Sequence, residues 1–361
     1  MVTIQDVARC AGVSVATVSR VINGKGHVRQ ALRERVERAV AELNYEPNLL
    51  ARNWRTRTTR TVAAVIASIA SPHEARTLQT AEQVALAHDY NIILCDTSRN
   101  AEVEARYLRM VRQRRVDGVL LNTMGQCQAE IRALTEQGVP VVMLNRPLGD
   151  YGPLVDAVVV DSHRGAMEAV EHLIRVGHRR IGLLSGPLAE FHGRERLRGY
   201  VDALRAHGLP QDESLIRFGN FDEQLAATEM EEFIHMPSPP SAIFAAGYSM
   251  ARAAMAVLRA HGLRIPDDMA LAMFDDVVWG DFIDPPLTVV SNPARELGRT
   301  AMELLLARLA DHERPPQEIW LAPKLIVRRS CGWTGPIEGE ATAAASCKHP
   351  CDRPERRSVG A

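Results

Sequence analysis

The 361-residue chain has no run of 18 consecutive apolar residues, so no segment reads as a membrane-spanning helix. Its start, MVTIQDVARC, has neither the basic stretch nor the apolar core of a secretory signal, and the expected location is the cytoplasm. Cysteine is sparse. Cys10, Cys95, Cys127, Cys331, Cys347 and Cys351 are too scattered for a disulfide framework, and the first four read as reduced packing residues. Cys347 and Cys351 flank His349, but no second ligand pair lies nearby and no metal site is expected. Also missing are a G-x-G-x-x-G after a strand, a phosphate-binding P-loop and a G-x-S-x-G elbow. These absences argue against a nucleotide-dependent or hydrolytic enzyme, and no cofactor is expected.

What is present begins with charge placement. The net charge is only −1, yet residues 1–60 carry 11 Lys and Arg against 5 Asp and Glu, while the remainder carries 32 against 39. A basic module on a mildly acidic body suits a protein that grips phosphate with one end, although a solvated basic face gives the same count.

Within that module, residues 3–23 encode two short helices around a sharp turn. Thr3 and Asp6 have capping-box spacing, and Ile4, Val7, Ala8 and Ala11 then give a helical apolar face. Gly12 suits the left-handed turn, Val13 plugs the space between the helices, and Ser14 caps a second helix whose Val18, Val21 and Ile22 face inward. Val15, Ala16, Thr17, Ser19 and Arg20 are left outward, a surface suited to thymine methyls, phosphate oxygens and a guanine edge. A third helix, about residues 30–43, carries Leu32, Val36, Val40 and Leu43 on one face.

The segment T-I-Q-D-V-A-R-C-A-G-V-S-V-A-T-V-S-R-V-I-N resembles, nearly residue for residue, the amino-terminal helix-turn-helix of the lactose-repressor (LacI/GalR) family of bacterial transcription regulators. The resemblance implies DNA contacts by Thr3, Ser14, Val15, Ala16, Thr17, Ser19, Arg20 and Asn23. It continues through Y-E-P-N-L-L-A-R-N-W at 45–54, where the family has a short hinge helix that pairs with its twin and pushes a leucine into a minor-groove step. Asn48, Ala51 and Arg52 are implied DNA contacts there; the wedge position holds Trp54, which is flat enough to stack on a base pair but also fits packing between the paired helices.

From Thr61 the chain alternates apolar strands with amphipathic helices. Strand-like runs fall at 62–69, 91–95, 117–122, 140–144, 156–160, 180–185, 241–246, 269–274 and 287–290. Crossovers of 10–15 helical residues mean parallel sheets flanked by helices, and this many strands suggests two lobes. The resemblance covers this region too, through D-G-V at 117–119, G-H-R-R-I-G at 177–182, R-L-R-G-Y at 196–200 and F-D-D at 274–276. It implies a periplasmic-binding-protein-like effector domain. The expected organisation is a helix-turn-helix domain at 1–46, a hinge at 47–60, and a two-lobed effector and dimerisation domain at 61–334. Lobe 1 is about 61–160 and 291–320, lobe 2 about 161–290 and 321–334, and 335–361, poor in large apolar residues, reads as a disordered tail.

Ligands of open α/β sheets bind beyond the carboxyl ends of the strands. That rule selects Ser71, His73, Glu74, Asn145, Arg146, Asp161 and Tyr248, together with Gly247 and Asp275. The resemblance implies that Arg196 and Asp275 reach into the cleft and that Phe221 stacks on the ligand; a lobe-packing ion pair and a core ring are the plainer readings. His73 and Glu74 replace two common aromatics, Asn145 a common aspartate, and Gly247-Tyr248 a common Asn-Asp; His73 and Glu74 also read as solvent-facing helix starters. The expectation is a polar, acidic effector such as a sugar acid or sugar phosphate, with Arg146, Arg196 and His73 as partners.

The functional expectation is a repressor that binds a near-palindromic operator as a homodimer at the nucleoid and is controlled by that effector. The alternative, a small-molecule binding protein without DNA function, leaves the first 60 residues unexplained.

Overall fold

The computed structural model describes residues 2–22, 28–45, 58–114, 116–149, 151, 153–277 and 279–336. It divides into two compact units, Met1–Thr59 and Arg60–Ala361.

The first unit contains α1 (Ile4–Ala11), α2 (Val15–Ile22) and α3 (Gln30–Glu42). Val7, Ala8, Ala11, Val18, Val21, Val36 and Ala39 form its small core, with Ile22 only half-buried at the margin. Thr3 and Asp6 make the reciprocal capping box that starts α1, the Thr3 amide donating to Asp6 Oδ2 at 3.0 Å. Gly12 ends α1 in the left-handed region at φ 61°. A side chain there would be strained and would also strike Arg35, whose guanidinium donates to the Ala11 carbonyl at 2.7 Å.

The second unit holds two six-stranded sheets. The first, in the order β11-β5-β4-β3-β1-β2, uses β1 (Thr61–Ile66), β2 (Asn91–Asp96), β3 (Gly118–Leu121), β4 (Val141–Leu144), β5 (Val155–Val160) and β11 (Glu318–Leu321), all parallel. Helices α4 (Pro72–Ala87), α5 (Ala101–Arg114), α6 (Gln128–Glu136) and α11 (Ala294–Ala310) belong to this lobe. The second sheet, in the order β12-β10-β9-β8-β6-β7, uses β6 (Ile181–Ser185), β7 (Ile216–Phe218), β8 (Ala242–Ala245), β9 (Ala270–Phe274), β10 (Thr288–Ser291) and β12 (Lys324–Ile326). Helices α7 (Ser162–Val176), α8 (Phe191–Ala206), α9 (Glu223–Ile234) and α10 (Tyr248–Ala260) belong to it. The chain passes between the lobes after β5, after β10 and after β11.

Strands β1, β3, β4, β5, β6, β8 and β9 are almost wholly buried, as expected for strands covered on both faces. Three strands escape the apolar-run reading: β7, β11 and β12 are three or four residues long and partly exposed. The sheets are also not wholly parallel, since β12 runs antiparallel to β10 at one edge. Helix α11 is fixed on the first sheet by a fully buried ion pair. Arg308 donates to both Asp156 carboxylate oxygens, at 3.0 and 2.8 Å, and the Gln317 amide adds a third bond to that carboxylate at 2.7 Å.

Candidate functional site

The helix-turn-helix is built from short-range bonds. Ser14 Oγ accepts from the Thr17 amide at 3.2 Å and lies 2.9 Å from Thr17 Oγ1, starting α2. The cap leaves Val15, Ala16 and Arg20 exposed on the outer face, with Thr17 and Ser19 half-buried beside them. Thr3 is exposed at the start of α1, its hydroxyl bonded to Asp6. The expected contacts Asn23, Asn48, Ala51, Arg52 and Trp54 lie outside the described residues, as does nearly all of the expected hinge and tail.

In the second unit a cavity of about 290 Å³ opens between the lobes at the carboxyl ends of both sheets. This is the small end of the range for ligand pockets. Of the expected effector residues, Ser71, His73, Glu74, Asn145, Arg196, Phe221, Tyr248 and Asp275 line it. Arg146 and Asp161 do not. The Arg146 guanidinium packs over Gly125 on lobe 1, and Asp161 is spent as the N-cap of α7, accepting from the Arg164 amide at 3.0 Å.

Several lining residues were missed by the sequence reading: Arg99, Asn122, His192, Arg252 and Asn292. Arg99, Asn122 and Asn292 follow β2, β3 and β10, so the strand-end rule, applied to every strand, would have found them. His192 and Arg252 lie four residues from Arg196 and Tyr248 on α8 and α10, where helical spacing puts side chains on one face.

The backbone is shaped for this purpose. Arg99, Asn145, Phe221 and Asp275 are non-glycine residues at φ 56°, 56°, 58° and 78°, each in the loop beyond a strand. Such left-handed positions cost energy and are kept where surrounding structure needs the side chain aimed. The Phe221 ring lies on the backbone at Gly186 and Gly247, where an added Cβ would sit 2.3 and 2.8 Å from it.

Charge in the cavity is largely compensated. Arg196 is buried, donates to the Ala246 carbonyl at 2.6 Å, stacks 3.7 Å from the Phe274 centroid and lies 4.0 Å from Asp275 Oδ1. Arg99 pairs with Glu190 at 3.2 Å, and Arg252 pairs with Glu223. Burial pushes the Glu74 carboxyl up to about 7; the Arg99 charge and the Ser68 and Ala67 amides oppose that rise. Burial also resists ionisation of Glu190, but the hydrogen bond from His192 and the charges of His192 and Arg99 outweigh it and hold that carboxyl at about 2. Burial lowers the His73 pKa, which leaves the imidazole neutral near pH 7.

Three buried polar atoms of the lining have no partner among the described residues: His73 Nδ1, Arg196 Nε and Asn292 Oδ1. His73 Nε2 lies 3.3 Å from Asn145 Nδ2. With that amide donating, the Nδ1 of the neutral ring carries the hydrogen and is an unused donor. Asn292 already donates through Nδ2 to Asp275, so its carbonyl oxygen is an unused acceptor. Two donors and one acceptor among the lining residues are therefore buried and unpartnered.

No helix among the described residues is long and apolar enough to cross a membrane. Residues 3–48 match the family described as bacterial regulatory proteins, lacI family, and residues 170–331 match a periplasmic binding protein-like domain. The HTH-type transcriptional repressor PurR of Photobacterium profundum is 34% identical over 331 residues, covering 91% of this chain and 98% of the relative. Among solved structures, a transcriptional regulator CelR–cellobiose complex is 36% identical, with a TM-score of 0.69 over 91% of this chain and 100% of that one. A lac repressor dimer bound to operator and the anti-inducer ONPF is 27% identical, with a TM-score of 0.80 over 91% and 99%. With the capped helix-turn-helix and the two-lobed α/β body in place, this chain belongs to the lacI family of bacterial regulatory proteins and is a DNA-binding transcriptional regulator.

Proposed function

We propose that the protein is a repressor that binds a near-palindromic operator as a homodimer, controlled by a neutral, hydroxyl-rich effector such as a small saccharide held between the lobes. It acts on DNA in the cytoplasm and catalyses no reaction. The observation that carries the effector class is the set of unpartnered atoms, His73 Nδ1, Arg196 Nε and Asn292 Oδ1. A hydroxyl both donates and accepts, so a polyol suits a lining that mixes unpartnered donors with an unpartnered acceptor. An acidic effector, the expectation from sequence, loses its basis: Arg146 is outside the cavity, Arg99 and Arg252 are paired with carboxylates, Arg196 faces Asp275, and His73 is neutral. The CelR relative seen with cellobiose supports the same class.

Val15, Ala16, Thr17, Ser19 and Arg20 are the proposed base-reading surface, with Thr3 and Ser14 at the helix starts for phosphate contact. Asn23, Asn48, Ala51, Arg52 and Trp54 remain proposed contacts on the strength of the family pattern. For the homodimer, Leu86 on α4 and Ile93 and Leu94 on the edge strand β2 are exposed apolar side chains that a second copy would cover. Coupling between effector and operator of about 1–3 kcal/mol would change DNA affinity roughly 5- to 150-fold.

A thermal-shift screen of the full chain against cellobiose, neutral monosaccharides, sugar acids, sugar phosphates and nucleobases tests the effector class. Stabilisation by neutral saccharides, followed by a change in binding to DNA upstream of the protein's own gene, is expected. Stabilisation by acids or phosphates alone would overturn it.

A further inference from the structure

The start of α8 belongs to lobe 2 by its sheet contacts, yet its first residues and the one before them reach lobe 1. Glu190 accepts from Arg99 Nη1 through both carboxylate oxygens, at 3.2 and 3.4 Å. The neighbouring Phe191 packs on the first-lobe core and meets Trp320 of β11 edge-on at 6.3 Å. His192 Nε2 lies 2.8 Å from Glu190 Oε2 and braces that carboxylate from the lobe 2 side.

Arg99 does more than pair. Its guanidinium lies 4.7 Å from the centroid of the Phe221 ring, which also lies close against the backbone at Gly186 and Gly247. The cross-lobe pair and the stacked ring therefore share one side chain. Glu190 is nearly buried and Arg99 is 29% exposed, so water screens the pair only partly. Among the described residues Glu190 is the ion-pair partner of Arg99.

We propose that Glu190, Phe191 and Arg99 form a clasp that holds the two lobes together over the cavity before any effector binds, with Arg99 as the positioning residue that presses Phe221 into place. The proposal rests on the reading of the cavity as the effector site only for its consequence. Closure of the lobes is then set by the chain's own side chains rather than by ligand alone. A clasp that pre-closes the site also lowers the cost of closure on binding.

Hydrogen–deuterium exchange of the full chain without added saccharide tests this directly. The variants are Arg99→Met, the isosteric Glu190→Gln and the conservative Arg99→Lys, with thermal unfolding as the check on global folding. In Arg99→Met and Glu190→Gln, the amides lining the cavity in both lobes, around 67–71 and 246–249, should exchange roughly tenfold faster, the weight of one charge-assisted hydrogen bond. The double variant should add little, and Arg99→Lys should restore part of the protection. Unchanged exchange in Glu190→Gln, or faster exchange confined to the mutated loop, would overturn the clasp. Titration of the wild-type chain with cellobiose is a separate arm: absence of binding there counts against the saccharide reading and leaves the ligand-free result standing.

Discussion

Glu74 offers the sharpest quantitative test. Its carboxyl lines the cavity, is only 6% exposed, and accepts from the Ala67 and Ser68 amides through a single oxygen, at 3.0 and 3.3 Å. Burial raises its pKa from 4.5 to about 7. The folded protein thus holds this proton more tightly than the unfolded chain. Stability from this group is complete below the unfolded value near 4.5 and is lost as pH rises through about 7. At about 1.4 kcal/mol per pKa unit, the loss across that window is about 3 kcal/mol. Glu74→Gln keeps an oxygen that can accept from the same two amides but has no charge to desolvate. Relative to wild type, the variant should be near-neutral at pH 5 and more stable at pH 8 by up to about 3 kcal/mol, roughly 6–12 °C in midpoint for a domain of this size. Urea unfolding of both proteins at the two pH values, read by far-UV circular dichroism, isolates the term, because other titrating groups cancel in the difference. An equal effect at both pH values, or a variant that loses ground at pH 8, would refute the reasoning.

Other outcomes follow from the same geometry. Arg20→Ala should cost about 1–3 kcal/mol on operator and relax base preference, measured by fluorescence anisotropy; equal losses on operator and random DNA contradict a base-reading role. Gly186→Ala places a Cβ 2.3 Å from Phe221, so the ring must shift. We expect about 1–3 kcal/mol of destabilisation and a weakened thermal-shift response to saccharide, and an unchanged response argues against Phe221 as a ligand platform. Arg308→Met leaves Asp156 buried with the Gln317 amide as its remaining bond, and should cost about 3–5 kcal/mol in urea unfolding. Adding Asp156→Leu should recover part of that loss; strictly additive losses would show that the two side chains do not act as a pair.

Much of the architecture was legible because its signals are local. The capping box at Thr3 and Asp6, the left-handed Gly12 and the Ser14 cap each depend on neighbours within a few residues. Buried strands such as β1, from Val62 onward, and β9 announce themselves as unbroken apolar runs. Short edge strands do not: β7, β11 and β12 become strands by pairing with distant partners, and nothing in three or four residues encodes that. The strand-end rule found Ser71, His73, Asn145 and Tyr248, but could not tell that Arg146 turns toward Gly125 or that Asp161 is consumed as a helix cap.

By itself, the sequence determined the kind of protein this is, since a helix-turn-helix and a parallel α/β body are written in short-range caps, turns and periodicities. Tertiary structure alone decided the chemistry of the cavity. Whether an arginine is free or paired depends on residues far away in the chain. Arg99 meets Glu190 from the other lobe, Arg196 meets Asp275, and His73 is neutral because of what surrounds it. Charge compensation is a property of three-dimensional neighbours, which is why the sequence suggested an acidic effector while the paired side chains of the fold support the proposal of a neutral one.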